Sequence, residues 1–204
     1  MTSFHSISVV IPIHNMKNGE FFLWRAINSV LKQTFQDYEI VITKAGSMPV
    51  NSNAGIKKAT GGVVKLLYMD DWLEDENYLQ RVYQKLVLSS TEQWLITAAT
   101  TNADPQWTDD IIIGNNKLGS PSALAFRNSY SQNLLFDESL SWLLDCDLYH
   151  RMHEKFGKPL ILTDVKVGIG VHEGQATNLM SDDYKLSEHE YVQKKYEESS
   201  LNGS

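Results

Sequence analysis

A single cysteine, Cys146, in 204 residues has no partner within the chain, so no intramolecular disulfide can staple this fold. Nothing beside it in sequence marks an activated thiolate, and it reads as a small buried hydrophobe. Basic residues are also scarce: 18 Lys and Arg against 25 Asp and Glu give a formal net charge of -7. Binding a phosphate backbone calls for clustered cations, so nucleic acid is not expected as a partner. No apolar run approaches the length of a membrane span or of a signal peptide's centre, and the expectation is a soluble, cytoplasmic protein. No glycine fingerprint follows the first strand-like run, where Pro12-Ile13-His14-Asn15 stands, which argues against a dinucleotide or P-loop site. Internal repeats and low-complexity linkers are missing too. What is present, 42% hydrophobic residues, suffices for one sizeable core, expected as a single domain over residues 1–204.

The apolar pattern alternates between two periods. Residues 7–12 are a β-branched run ended by proline and read as a buried strand. Phe21, Phe22, Trp24, Ala26, Ile27, Val30 and Leu31 recur at helical spacing, with Trp24 expected in the core. Residues 38–43 read as a second strand, 51–59 as a short helix, and the run from Val63 as a third strand. A helix over 78–88 and a strand over 94–99 follow. Residues 101–120 break the rhythm with Pro105 and polar turn residues, and are expected to be an excursion lining a site. Residues 122–126 return to the sheet. Residues 136–143 and 144–156 look helical, with His150 and His153 on a solvated face, and 160–162 read as a last strand. A loop over 167–178 surrounds His172, and the tail from residue 183 is a surface helix fraying toward Ser204. Strands joined by helical crossovers predict an α/β fold with a mostly parallel sheet flanked by helices on both faces.

The third strand ends in Tyr68-Met69-Asp70-Asp71-Trp72. Ligands of open α/β sheets bind beyond the carboxyl ends of strands, so an acidic pair at such an end stands where chemistry is usually found. Adjacent carboxylates repel unless a cation or several donors hold their charge, and oxygen ligands of this kind suit magnesium or manganese. A helix N-terminus capped by Asp71 or Asp75 accounts for the same residues equally well. A receiver-type domain would place its acidic pair after the first strand, not the third.

Several segments, in order and spacing, resemble family 2 glycosyltransferases with the GT-A fold. They are Ile7 to Asn15, Ala26 to Phe35, Asn53-Ala54-Gly55, Asp70-Asp71-Trp72, Phe136 to Leu140, and Leu144-Asp145-Cys146-Asp147. The resemblance implies a GT-A-type Rossmann-like sandwich and an inverting, metal-dependent transfer of a sugar from a nucleoside-diphosphate sugar, UDP-linked by preference, to a glycan or other hydroxyl acceptor. It gives Asp145 as general base, which would work best if burial among Trp142, Leu144 and Tyr149 raised its pKa toward the working pH. It also gives Pro12, His14, Asn15, Lys44, Asn53, Tyr68, Met69 and Asp70 against the nucleotide, and Asp70, Asp71 and His172 around Mn2+ or Mg2+. Asp147, two residues after the base, is expected to face elsewhere and act structurally.

Departures from the family pattern concern the donor. Tyr68 stands where the first aspartate of the Asp-x-Asp signature belongs, and a tyrosine cannot bring a carboxylate's charge to a metal. Lys44 follows the second strand where acidic residues usually hold the base, Ser52 replaces an arginine and Leu144 a glutamate. A non-catalytic nucleotide-sugar or glycan-binding module on a degenerate GT-A fold is therefore the alternative.

Overall fold

The computed structural model describes residues 5–89, 91–128, 134–173 and 180–202. The run Ile7–Pro12 forms β1 and is buried at every position, which requires protein on both faces of the sheet. α1 (Gly19–Leu31) crosses over to β2 (Tyr38–Thr43), and α2 (Met48–Lys58) to β3 (Val63–Leu66). Both strands pair parallel to β1 on its two sides. β4 (Trp72–Leu73) is a two-residue strand, and α3 (Tyr78–Tyr83) continues into one π-helical turn before β5 (Trp94–Ala99). Short 3-10 turns at Asp109–Ile113 and Pro121–Ala123 precede β6 (Leu124–Arg127). α4 (Leu144–Phe156), β7 (Leu160–Gly168) and α5 (Asp182–Asn202) complete the chain.

The strand order is β2-β1-β3-β6-β5-β7-β4. Strands β1, β2, β3, β5 and β7 run one way, while β6 and β4 lie antiparallel to their neighbours. The mostly parallel mixed sheet expected from the sequence is borne out. α2 lies so close to β1 that a Cβ on Gly55 would come within 2.3 Å of Val10 Cγ1, which is why the Asn53-Ala54-Gly55 segment needs its glycine.

Four local readings are corrected. Residues 136–143 are irregular rather than helical, because their backbone bonds to side chains distant in sequence: Phe136 exchanges hydrogen bonds with Asn53, and Ser141, Trp142 and Leu143 donate to Glu188. The loop expected from residue 167 begins later, since β7 extends through Val167 and Gly168 to pair with β4. Trp24 is 65% exposed instead of core, whereas Trp94 is 1% exposed. His150 and His153 are not simply solvated: they pack against Tyr196 and Trp107 at ring-centroid distances of 4.7 and 4.1 Å. Residues 174–178 of the expected loop and 203–204 of the tail lie outside the described residues.

α5 does more than cover a surface. Its Glu188 and Val192 are buried, and Lys195 reaches both Asp137 and the fully buried Asp147 of α4. Asp147 also holds Arg151 through two bonds and accepts from the Tyr196 hydroxyl, so it faces away from Asp145's side of the helix.

Candidate active site

The carboxyl ends of β1 and β3 open into a cavity of about 800 Å³. Its wall is built from the β1 loop, the start of α2, the end of β3, the excursion before β6, and the start of α4. Pro12, His14, Asn15, Tyr68, Asp70, Asp71, Asp145 and His172 all line it. Three residues expected at the nucleotide do not. Lys44 is exposed and donates to Asn15 Oδ1 at 2.8 Å. Asn53 is buried and spent on Phe136 and Glu138. Met69 lies beneath the floor, where its sulfur accepts from the His14 N–H.

The two members of the acidic pair are placed differently. Asp71 is 3% exposed, and its Oδ1 accepts from Gly170 N at 2.8 Å. Burial first, and then the charge of Asp70, push its carboxyl up to about 7. Asp70 turns into the cavity, where its Oδ2 meets His172 Nε2 at 2.9 Å. The His172 ring stacks on Phe22 at 5.3 Å, which fixes its plane. The Asp70 carbonyl accepts from Arg25, whose guanidinium lies over the Trp72 ring at 3.9 Å. Arg25 thus holds the turn from behind, and the fully buried Lys65, whose amine burial pushes well down and the charge of Asp71 in part restores, donates below it to the Ser122 carbonyl. Neither residue was singled out in the sequence. An apolar strand interrupted by lysine just before an acidic pair was the available signal.

A carboxylate and an imidazole converging on one point suit a divalent cation that keeps waters and takes its other ligands from a substrate diphosphate. Asp71 is engaged with Gly170, and no group of three or more His, Cys, Asp or Glu suited to a metal occurs among the described residues. Asp70 and His172 therefore fit as the two protein ligands of such an ion.

Tyr68 brings no charge. Its hydroxyl is buried without a well-formed hydrogen bond, and burial pushes it up. Ser52, whose own hydroxyl donates to Met48 O at 2.9 Å, offsets a part of that.

Across the cavity, Asp145 sits in the first turn of α4. Its Oδ1 accepts from Cys146 N at 2.8 Å and its Oδ2 from Asn116 Nδ2 at 2.8 Å. Burial outweighs these donors and raises its carboxyl to about 6. Trp142 and Ser141 form the adjoining wall, with Trp142 held edge-on by His189 at 5.0 Å. Sequence reasoning also missed Asn116. An Asn three residues before Gly119 was its only local mark.

A model of glycosyl transferase family 2 matches residues 8–52. The glycosyltransferase GlyA of Streptococcus pneumoniae is 24% identical over an alignment covering 40% of this chain and 15% of that protein. Among solved structures, S. aureus TarS 1-349 with UDP-GlcNAc superposes with a TM-score of 0.67 at 16% identity, covering 86% of this chain and 61% of that one. The mannosyltransferase PcManGT of Pyrobaculum calidifontis, with GDP-Man and Mn2+, gives 0.61 at 11% identity over 85% and 59%. M. tuberculosis glucosyl-3-phosphoglycerate synthase gives 0.64 at 12% identity over 92% and 78%. The chain spans less than two thirds of the TarS and PcManGT chains and a small part of GlyA.

Proposed function

From a chain that has the GT-A fold and resembles the family 2 glycosyltransferases, we propose an enzyme that transfers a sugar from a nucleoside-diphosphate sugar to a hydroxyl acceptor with inversion. The observation that carries this reading is one cavity in which Asp70 and His172 face Asp145. The neighbours' complexes with UDP-GlcNAc and GDP-Man support a nucleotide-sugar donor, and the Mn2+ in one of them supports a divalent cation. UDP is the base favoured by the resemblance, and Mn2+ or Mg2+ would be held by Asp70 and His172, with Asp71 bracing the turn. A bound divalent ion supplies charge neutralisation for the departing diphosphate.

The remaining work falls to side chains. Pro12, His14 and Asn15 edge the end of the cavity assigned to the nucleotide. Asp145, raised to about 6, is ionised at neutral pH yet basic enough to take the acceptor hydroxyl's proton as the new glycosidic bond forms. Trp142 beside it offers an apolar face to an acceptor ring.

A binding module without turnover is the second reading, favoured by the uncharged Tyr68 where the family signature begins with a carboxylate. A panel of UDP-GlcNAc, UDP-glucose, UDP-galactose and GDP-mannose, each with Mn2+ or Mg2+, separates the two. Release of nucleoside diphosphate that depends on Asp145 is expected. Binding of a donor with no release under any condition would favour the module instead.

A further inference from the structure

The loop that closes the cavity beside α4 is tied to it at two points. The Tyr149 hydroxyl donates to Gly119 O at 3.2 Å, and Asn116 Nδ2 donates to Asp145 Oδ2 at 2.8 Å. The Asn116 amide is fully determined by its neighbours. Its Oδ1 accepts from Leu118 N at 2.9 Å and Gly119 N at 3.0 Å, so the nitrogen must be the end that turns to Asp145. The second hydrogen of that nitrogen goes to Gly119 O at 3.1 Å. Every hydrogen-bonding capacity of the side chain is spent, which leaves it no freedom to rotate away.

Asp145 Oδ1 accepts from Cys146 N and Oδ2 from Asn116, and the Cys146 thiol on the same helix is a further hydrogen-bond partner. The titratable groups turned toward it are Tyr68 from the end of β3 and Cys146 and Tyr149 on its own helix, and burial holds all three neutral. The other ionisable side chains on this cavity wall are the carboxylates Asp70 and Asp71, which disfavour a further anion, the cation Lys17, and the imidazoles of His14 and His172. Asn116 is therefore the donor that reaches the carboxylate from outside α4 among the described residues.

We propose that Asn116 is a positioning residue for Asp145, fixing the carboxylate's rotation toward the cavity and favouring its ionised form. This rests on the reading of Asp145 as general base. Asn116 is not itself a proton carrier. Its amide sets which Oδ2 lone pair is left to meet a hydroxyl proton, and a donor to a carboxylate favours the charged state. The excursion over 101–120 gains a purpose: it delivers this one amide.

Asn116→Asp is the discriminating substitution. Its Oδ1 still accepts from Leu118 N and Gly119 N, so the turn is kept, while the second oxygen replaces a donor with a like charge. Hydrolysis of the sugar nucleotide that the wild type turns over, with water as acceptor, is followed against pH. The variant should lose tenfold or more in kcat near pH 6.5, regain part of it at higher pH, and keep its donor KM. A second readout needs no turnover: the 13C carboxyl resonance of Asp145, assigned by its loss in Asp145→Asn, should titrate at least one pH unit higher in Asn116→Asp. Asn116→Ser, which lacks the amide donor without adding charge, should move it in the same direction by less. Circular dichroism checks that both variants fold. A titration curve and a pH profile that superimpose on the wild type overturn the inference. Wild-type turnover in Asp145→Asn would instead overturn the general-base reading, and the resonance would still decide what Asn116 does.

Discussion

Asp71 and Gly170 are joined by a hydrogen bond of 2.8 Å that runs from the Gly170 N–H to Asp71 Oδ1, linking the turn after β3 to the chain leaving β7. Asp70 precedes one partner and His172 follows the other, so this bond sets the distance between them.

Gly170 has no room for a side chain. A Cβ there would stand 2.1 Å from the Asp70 carbonyl oxygen, so Gly170→Ala must push the two segments apart. Overpacking of this kind costs about 1–3 kcal/mol. The expected result is a melting temperature lower by several degrees, together with weaker binding of UDP in the presence of Mn2+. Unchanged UDP affinity in a destabilised variant would show that the Asp70 to His172 spacing is not set here.

Asp70 and His172 should contribute unequally to metal-dependent nucleotide binding. Asp70→Ala removes both a ligand and its charge, and should abolish the part of UDP affinity that EDTA removes from the wild type. His172→Ala removes a ligand but no carboxylate charge and should cost less Mn2+ affinity than Asp70→Ala does. Calorimetry of UDP binding with and without EDTA reads both. Wild-type binding insensitive to the chelator would take the cation out of the proposal.

Glu188 of α5 accepts from three successive N–H groups, Ser141 at 2.7 Å, Trp142 at 2.9 Å and Leu143 at 2.8 Å, just ahead of the helix that carries Asp145. A carboxylate at this place satisfies three donors of the segment that leads into the helix, the last of them at its N-cap Leu143, and lies at the positive end of its dipole. Glu188→Ala should cost about 1–3 kcal/mol, because the buried Leu143 N–H and the half-buried Ser141 and Trp142 N–H groups lose their acceptor. Glu188→Gln, which keeps one acceptor oxygen, should cost less. Equal stability of both variants and the wild type in urea melts would contradict this.

How much was legible in the sequence follows from where each backbone finds its hydrogen bonds. β1 and β5 announce themselves because runs such as Val9-Val10-Ile11 are apolar and lie within the sheet, and β2, at the sheet's edge, shows through its short apolar run Ile40-Val41-Ile42. α4 matches its expected span of 144–156, where Leu148, Tyr149 and Met152 are buried on one face. Residues 136–143 carry as many apolar side chains as a helix, yet their partners are Asn53 and Glu188, 83 and more than 40 positions away. No local pattern records such a bond. The second half of β7 hides for another reason: Thr163, Asp164 and Lys166 face solvent, so its buried residues, Val165 and Val167, are too few to show against them. Asp70, Asp71, Asp145 and His172 could be named because residue type and order carried them. Asn116, Arg25 and Lys65 act through position alone.

Asp145 offers a test in which chemistry and stability must move together. Asp145→Asn removes basicity with little change of shape, and should lower turnover by a factor of about 10² to 10⁴ while leaving donor affinity near the wild-type value. The wild-type rate should fall off on the acid side with a limb near 6, the value to which burial raises this carboxyl from 3.8. The same rise fixes the sign of a stability effect. Between those two values the folded protein holds the Asp145 proton more tightly than the unfolded chain does, so its contribution to stability is largest at low pH and is lost as pH rises through about 6. Asparagine does not titrate, and Asp71 titrates in both proteins and cancels. The unfolding free energy of the wild type minus that of the variant should therefore decline from about pH 4 to about pH 6.5, with a slope of at most roughly 1.4 kcal/mol per pH unit, and level off above it. Denaturant melts across that range measure the difference directly. If it stays flat while the acid limb of the rate also disappears from the neighbourhood of 6, the carboxyl is not raised by burial, and a group better exposed to solvent than Asp145 takes the acceptor's proton.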